Sequence, residues 1–514
     1  MRAGIKDSCG QSEKMTLTVG GEKRLLYGRQ FLAGPRPLEV PEHWKVFRFG
    51  TCWYVHCHPV LRITRMISKS KELLCLGHIF DPECPQSSDE DVLKRLASAG
   101  TDFGNIERAA SRLAGRWLLF VRLDKETRLY PDAGGTRTVF YTSGETSDEL
   151  WVGSQPGLLA DALPIKVDQL LVSEFKSQPY ANSWPGAVTP YVGVRQLLPN
   201  HFLHLHTGQV ERFWPTQQLA SCKLKDAAPL MVEIIEGIIK AATCRGSVAL
   251  PLTAGYDSRV LFACAGTVRR DLNIFTIYDP TTSYSDVVTP QKLGSLYGVQ
   301  VRQIRAEPCD ESFWSIYRRN VSGMFRDPGS KWLYTFGKNF AQSIVLTGGM
   351  GEVARCFYYR DGTHPSLVSP EILARLSHFD GNSIAIRSFA EWLGDVPPDK
   401  GVSILDLFYW EHRVGNWLGM SGNAFDAVCE VVPGYNCRRL LEIALGVGTE
   451  HRKHPYLLFR EICNLVAPQV LDIPFNSNWM DTILGISGLV PWRLKDYYYK
   501  IRLRKAGLHY FDTY

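Results

Sequence analysis

The stretch from Ser247 to Arg259, SVALPLTAGYDSR, constrains this chain more than any other. Val248–Leu252 is a short apolar run and reads as a buried strand, Thr253–Gly255 is a small-residue turn, and a helical segment follows from Ser258 through Arg269. A strand that breaks into such a turn and then a helix aims free backbone N–H groups, together with the Thr253 and Ser258 hydroxyls, at one point in space, an arrangement suited to an anion. Asp257 repels a bare phosphate there, and makes better sense holding a Mg²⁺ that phosphates also ligate. The ligand expected from this stretch is a nucleotide.

The chain has 514 residues, more than one hydrophobic core supports, so two domains are expected. It is 45% apolar and 21% charged, the balance of an ordinary folded protein. A net charge of +6 on this length argues for neither a nucleic-acid partner nor a membrane surface. No apolar run approaches the roughly 18 residues of a membrane span. The opening MRAGIKDSCGQSEK lacks the apolar centre of a secretory signal. The thirteen cysteines are scattered, with no CxxC pair, which fits reduced thiols and a cytoplasmic location.

Up to about residue 215 short alternating segments recur: Leu17–Val19, Trp44–Phe49, Cys52–His56, Leu73–Leu76, Arg116–Leu123, Thr138–Tyr141, Leu150–Val152 and His201–Leu205. Turn signals such as Gly20-Gly21 and Gly134-Gly135 punctuate them, and Asp89–Ala99 reads as a helix. An antiparallel β-rich domain over 1–215 is expected. Beyond the helical Met231–Ala242, strand-like and helix-like segments alternate: Val248–Leu252, Val260–Ala265, Asn273–Tyr278, Val287–Tyr297, Val299–Ile304, Leu333–Gln342 and Ser343–Leu346. That alternation implies an α/β domain with a parallel sheet over 227–514, with ligands off the carboxyl ends of its strands. From about Ser403 the chain reads as mostly helical.

Three stretches carry a resemblance to a known family. They are Leu252-Thr-Ala-Gly-Tyr-Asp-Ser258, Leu346-Thr-Gly-Gly-Met-Gly-Glu-Val-Ala-Arg355 and His451-Arg-Lys-His454. In order and rough spacing they resemble the synthetase domain of asparagine synthetase B and its relatives in the ATP-pyrophosphatase superfamily, whose loop reads SGGxDS. Ile274-Phe-Thr-Ile277 looks like the strand that contacts adenine in that family, which brings in Thr276. Leu113–Asp124, Asp132–Arg137 and Phe140-Tyr141 are similar to the glutaminase half of the same architecture, an Ntn-hydrolase-type domain. The resemblance implies ATP and Mg²⁺ as cofactors. Leu252, Thr253, Ala254, Gly255, Tyr256, Asp257, Ser258, Thr276, Gly348 and Gly349 would bind the nucleotide, and Asp257 and Glu352 the metal. Lys453 would stabilise transition-state charge, with Arg452 as its nearest rival, and Glu411 would serve as base or substrate anchor.

The departures from the family shape the expected function. A glutaminase of this type uses a cysteine at position two, where this chain has Arg2; a glutaminase reading requires a mature protein beginning at Cys9. With the first domain inactive, the nitrogen comes from an amine other than glutamine-derived ammonia, as in β-lactam synthetases and lasso peptide cyclases. The expected activity is therefore amide-bond formation through an acyl-adenylate with release of AMP and pyrophosphate. Its substrates are a carboxylate and an amine, a lasso-type precursor peptide being the most concrete, with a partner protein as a further candidate. Amidation of a small metabolite or sugar acid is the second reading, and a non-catalytic nucleotide-binding relative the third. The tyrosine that β-lactam synthetases carry in the second glycine loop is replaced here by Gly349 and Met350. The basic aromatic run Trp492–Lys505 reads as a final amphipathic helix.

Overall fold

The computed structural model describes residues 25–475 apart from 41–42, 69, 145–148, 280–281, 310, 326–331, 361 and 363–366. Arg2, Cys9, Leu17–Val19, Gly20-Gly21 and Trp492–Lys505 lie outside the described residues.

The first half is built on two six-stranded antiparallel sheets. One runs β10 (Val194–Gln196), β8 (Phe140–Thr142), β9 (Val152–Gly153), β1 (Phe31–Gly34), β3 (Trp53–Cys57), β2 (Lys45–Phe49). The other runs β12 (Val210–Arg212), β11 (His201–His204), β7 (Glu126–Pro131), β6 (Ala114–Leu123), β5 (Lys71–Phe80), β4 (Ile63–Ile67). Strands β5 and β6 pair along ten residues each and are buried almost throughout, because both faces of their sheet are covered. Leu74, Leu76, Leu118 and Phe120 face Phe31 and Val55 of the other sheet. The alternate residues Leu73, Cys75, Leu119 and Val121 face the helices Asp89–Ser98 and Phe103–Ala110. The period-two side-chain alternation of a strand thus divides β5 and β6 between two cores. The first sheet turns its other face, Leu32 and Trp151 among it, to the second half of the chain.

The second half opens with the long helix Leu224–Arg245, which carries the predicted Met231–Ala242 periodicity. Its parallel sheet runs β15 (Arg302–Arg305), β14 (Asn273–Tyr278), β13 (Val248–Pro251), β16 (Ile344–Thr347), β17 (Glu430–Pro433). Strand β17 is the exception to the mostly helical chain expected after Ser403. Its four residues, EVVP, are too few to show a period, and only pairing with β16 makes them a strand. The chain leaves β13 toward β14 and β15, then returns to the opposite side as β16, so strand order reverses between β13 and β16. A crevice at the carboxyl ends of such a pair is where ligands enter open parallel sheets.

The two halves meet through buried charge. Arg116 of β6 makes a bidentate pair with Asp426 (2.5 and 2.8 Å), and Arg137 reaches Glu430 at 2.6 Å. Burial alone would raise the Glu430 carboxyl, yet Arg137, Arg116 and Arg29 hold it at about 2. Asp132 accepts from the N–H groups of Trp117, Gly134, Thr136 and Arg137, and so shapes the 132–137 loop that delivers Arg137 to the interface.

Candidate active site

The crevice between β13 and β16 holds Asp257, Gly348, Gly349 and Glu352 of the residues that the sequence marked. Strand β13 ends at Pro251, and Leu252 continues it by donating to the Phe275 carbonyl (2.8 Å). The Thr276 hydroxyl closes the same edge by donating to the Leu252 carbonyl (2.8 Å). Leu252 and Thr276 are thus buried braces of the loop. The helix begins at Tyr256 and runs to Cys264, starting earlier than the predicted Ser258 and ending before Arg269, where a 3₁₀ segment, Gly266–Asp271, takes over.

The turn satisfies its own amides. Thr253 N–H donates to the Ser258 hydroxyl (3.1 Å), Ala254 N–H to the Asp286 carboxylate (2.9 Å) and Gly255 N–H to the Thr253 hydroxyl (3.1 Å). Ser283 in turn fixes Asp286, as the N-cap of Tyr284–Tyr297. The donors left for an anion are those of the first helical turn, since Gly255 at the N-cap supplies no side-chain acceptor. The Tyr256 ring does not face this turn but stacks on Phe475 at 4.0 Å between centroids.

Across the crevice, the loop after β16 packs on Asp257. A Cβ on Gly348 would lie 2.7 Å from the Asp257 Cβ, and one on Gly351 would collide with its Oδ1, so both positions require glycine. Gly349 N–H donates to the Thr347 hydroxyl (3.4 Å), and Met350 takes a left-handed conformation (φ 73°) that turns the loop toward Glu352. Asp257 and Glu352 are thereby brought to one guanidinium. Arg355 Nη2 lies 2.6 Å from Asp257 Oδ2 and 3.2 Å from Glu352 Oε1. Asp257 Oδ1 is buried with no hydrogen-bond partner. Burial, with Glu352 nearby, raises the Asp257 carboxyl to about 6 against the opposing effect of Arg355. Among the described residues no cluster of three or more His, Cys, Asp or Glu side chains is placed to hold a metal. Two carboxylates do suffice for Mg²⁺ when phosphates complete its shell, and the bare Oδ1 is an oxygen such an ion would take.

Tyr409 and Arg413 complete the cavity and were not foreseen. The helix begun at Ile404–Phe408 widens at Tyr409–Leu418 into a π-helix, whose i→i+5 pattern puts residues four and five apart on one face. That face presents Tyr409, Arg413, Val414 and Trp417 to a cavity of about 170 Å³ shared with Asp257 and Glu352. The Tyr409 hydroxyl donates to Glu352 Oε2 (2.9 Å), and burial followed by the Glu352 charge holds its pKa well above the usual value. Arg413 lies over the Trp417 ring at 4.5 Å. The one sequence signal for this wall was the tryptophan- and glycine-rich WEHRVGNWLG run, which an α-helical period does not sort into faces.

Three expected residues take other places. Glu411 is fully buried at the junction of the halves, bound by both Arg212 terminal nitrogens (2.5 and 2.9 Å), Asn200 and Trp392. Enclosed this way, it cannot act as a base or substrate anchor at the cavity. Arg452 is committed to Asp406 (2.8 Å) and the Val447 carbonyl, so it braces the framework instead of meeting substrate. Lys453 runs along Gly362 and is not among the cavity-lining residues.

No family model and no curated protein sequence matches the chain. Solved structures that overlap it include the allosteric regulatory enzyme of purine biosynthesis, with 12% identity, covering 56% of this chain and 78% of that one at a TM-score of 0.25. Another is glutamine phosphoribosylpyrophosphate amidotransferase from B. subtilis complexed with ADP and GMP, with 11% identity, covering 64% of this chain and 70% of that one at a TM-score of 0.24. Superpositions this loose carry no argument for fold or activity. Among the described residues no helix is long and apolar enough to cross a membrane.

Proposed function

We propose that the chain is an ATP- and Mg²⁺-dependent carbon–nitrogen ligase that adenylates a carboxylate and passes it to an amine. The observation that carries this reading is the meeting of Asp257 and Glu352 beside an uncapped helix N-terminus, at the carboxyl ends of β13 and β16. Asp257 Oδ1 and Glu352 would hold the Mg²⁺, which neutralises phosphate charge when bound. The first turn of the Tyr256–Cys264 helix would orient phosphate oxygens, and Arg355 would balance the two carboxylates. Tyr409, hydrogen-bonded to Glu352, would hold that carboxylate in position, and Arg413 would steer an anionic group. The amine is one other than glutamine-derived ammonia, and closure of a precursor peptide is the most concrete case; amidation of a small metabolite or sugar acid is the alternative.

A non-catalytic nucleotide-binding role is the second reading. It is favoured by the Thr253 loop satisfying its own amides and by Arg355 standing between the two acidic residues. Pyrophosphate release from ATP and Mg²⁺ with candidate carboxylates separates the two. The ligase yields AMP and pyrophosphate, and Asp257→Ala lowers the rate by about 100-fold or more. ATP binding without pyrophosphate from any carboxylate and amine mixture supports the second reading, and absence of ATP binding overturns both.

A further inference from the structure

The helix Tyr256–Cys264 is nine residues long, and Gly255 gives its N-terminus no side-chain cap. A helix this short and uncapped is marginal by itself, so its first turn depends on what packs against it. Tyr256 and Arg259 stand three positions apart and share one face. Asp257, between them, lines the crevice, and Ser258 closes the Thr253 loop. The face shared by Tyr256 and Arg259 is covered by residues 473–475, which follow the 3₁₀ segment Pro468–Asp472.

The Phe475 ring lies parallel to that of Tyr256, within 3°, and the Arg259 guanidinium sits 4.2 Å from the centre of the same Phe475 ring. Arg259 Nη1 donates to the Ile473 carbonyl (2.5 Å) and Nη2 to the Pro474 carbonyl. Arg259 is fully buried, and burial lowers its pKa to about 10. A buried guanidinium that loses its acceptors is costly, so the helix holds these two carbonyls as firmly as they hold it. From Phe475 the ring contacts continue inward. Tyr256 meets the Tyr456 ring edge-on at 4.9 Å, and Tyr456 lies 5.0 Å from Arg355, the guanidinium between Asp257 and Glu352.

We infer that residues 473–475 strap the crevice from behind and that Phe475 is a positioning residue, which acts through Tyr256 and Arg259 to fix the first helical turn where phosphate oxygens would meet it. That the turn meets phosphate rests on the nucleotide reading above; the strap itself rests on the contacts alone.

Hydrogen exchange over residues 259–262, whose amides bond back to the first turn, tests this together with calorimetric titration of the full chain with Mg²⁺-ATP. Phe475→Ala should speed that exchange and weaken Mg²⁺-ATP binding, each by about tenfold, and Phe475→Tyr, which keeps the stacked ring, should restore both to within about twofold. Leu74→Ala controls for lost stability alone. Leu74 is buried between the two sheets of the first half, and its truncation should lower the urea midpoint at least as far as Phe475→Ala does, with exchange over 259–262 and Mg²⁺-ATP affinity as in the wild type. The inference is overturned if Phe475→Ala leaves that exchange unchanged, if Leu74→Ala speeds it as much, or if Phe475→Tyr fails to restore it. Faster exchange in Phe475→Ala with unchanged Mg²⁺-ATP affinity overturns the positioning role. If exchange responds as expected but the wild type binds no Mg²⁺-ATP, the strap stands and the nucleotide reading falls.

Discussion

Arg355 is where the chemistry of the crevice is decided at the level of single residues. Asp257 and Glu352 are like charges held close, and Arg355 is the cation between them. The Arg355 side chain is 9% exposed, enclosed by the Tyr456 ring at 5.0 Å and the two acids, so its removal leaves enclosed charge uncompensated. Arg355→Met should therefore lower stability by about 3–5 kcal/mol, read from urea unfolding. Adding Asp257→Asn should restore part of that loss, and a strictly additive double variant would show that the two residues do not interact. Gly348 and Gly351 belong to the same scale, since the approach of loop to carboxylate leaves no space for a methyl group.

At the scale of elements, the π-helix is a wall of the crevice, and its buried face gives it a pH signature. His412 is 3% exposed, accepts the Gly186 N–H (3.3 Å) and contacts Phe389 and Phe408. Burial, with Arg413 beside it, lowers its pKa from 6.5 to about 3. The unfolded chain takes up this proton below pH 6.5, whereas the folded chain resists it until about 3. Protonation thus favours unfolding, and stability is lost as pH falls through that window. The contribution is about 1.4 kcal/mol per pH unit. Denaturant midpoints between pH 6.5 and 4 should show it in the wild type, and His412→Gln should remove that part of the slope. Glu430 acts in a lower window, because its stabilisation is full above 4.5 and fades as pH falls toward 2.

At the scale of the whole molecule, the halves share one hydrophobic cluster, in which Leu32 and Trp151 of the first pack with Leu250 and Val345 of the second. The Arg116–Asp426 and Arg137–Glu430 pairs cross the same boundary, at side chains that are 9% exposed or less. A single calorimetric unfolding transition is expected, and two separable transitions would count against a shared core. Asp426→Asn should cost about 3–5 kcal/mol and lower that one transition as a unit.

The strand–turn–helix at Val248–Ser258 and the glycine loop at Gly348–Glu352 were legible in the chain, because strand and turn signals are local and a short run of residues carries them whole. So were β2, β3, β8 and β11 of the first half, whereas β1, β4, β7, β10 and β12 were not expected, and the full ten-residue reach of β5 and β6 was missed because burial on both faces hides the period. What only the tertiary structure decided was distance and company. It placed Arg355 between Asp257 and Glu352, and took Glu411 and Arg452 out of the crevice into buried pairs with Arg212 and Asp406. It turned Tyr409 and Arg413 inward on a π-helical face that no α-helical period predicts. A side chain's residue type limits what chemistry it can do, but its partner and its access to solvent depend on segments hundreds of positions away, and packing alone brings those together.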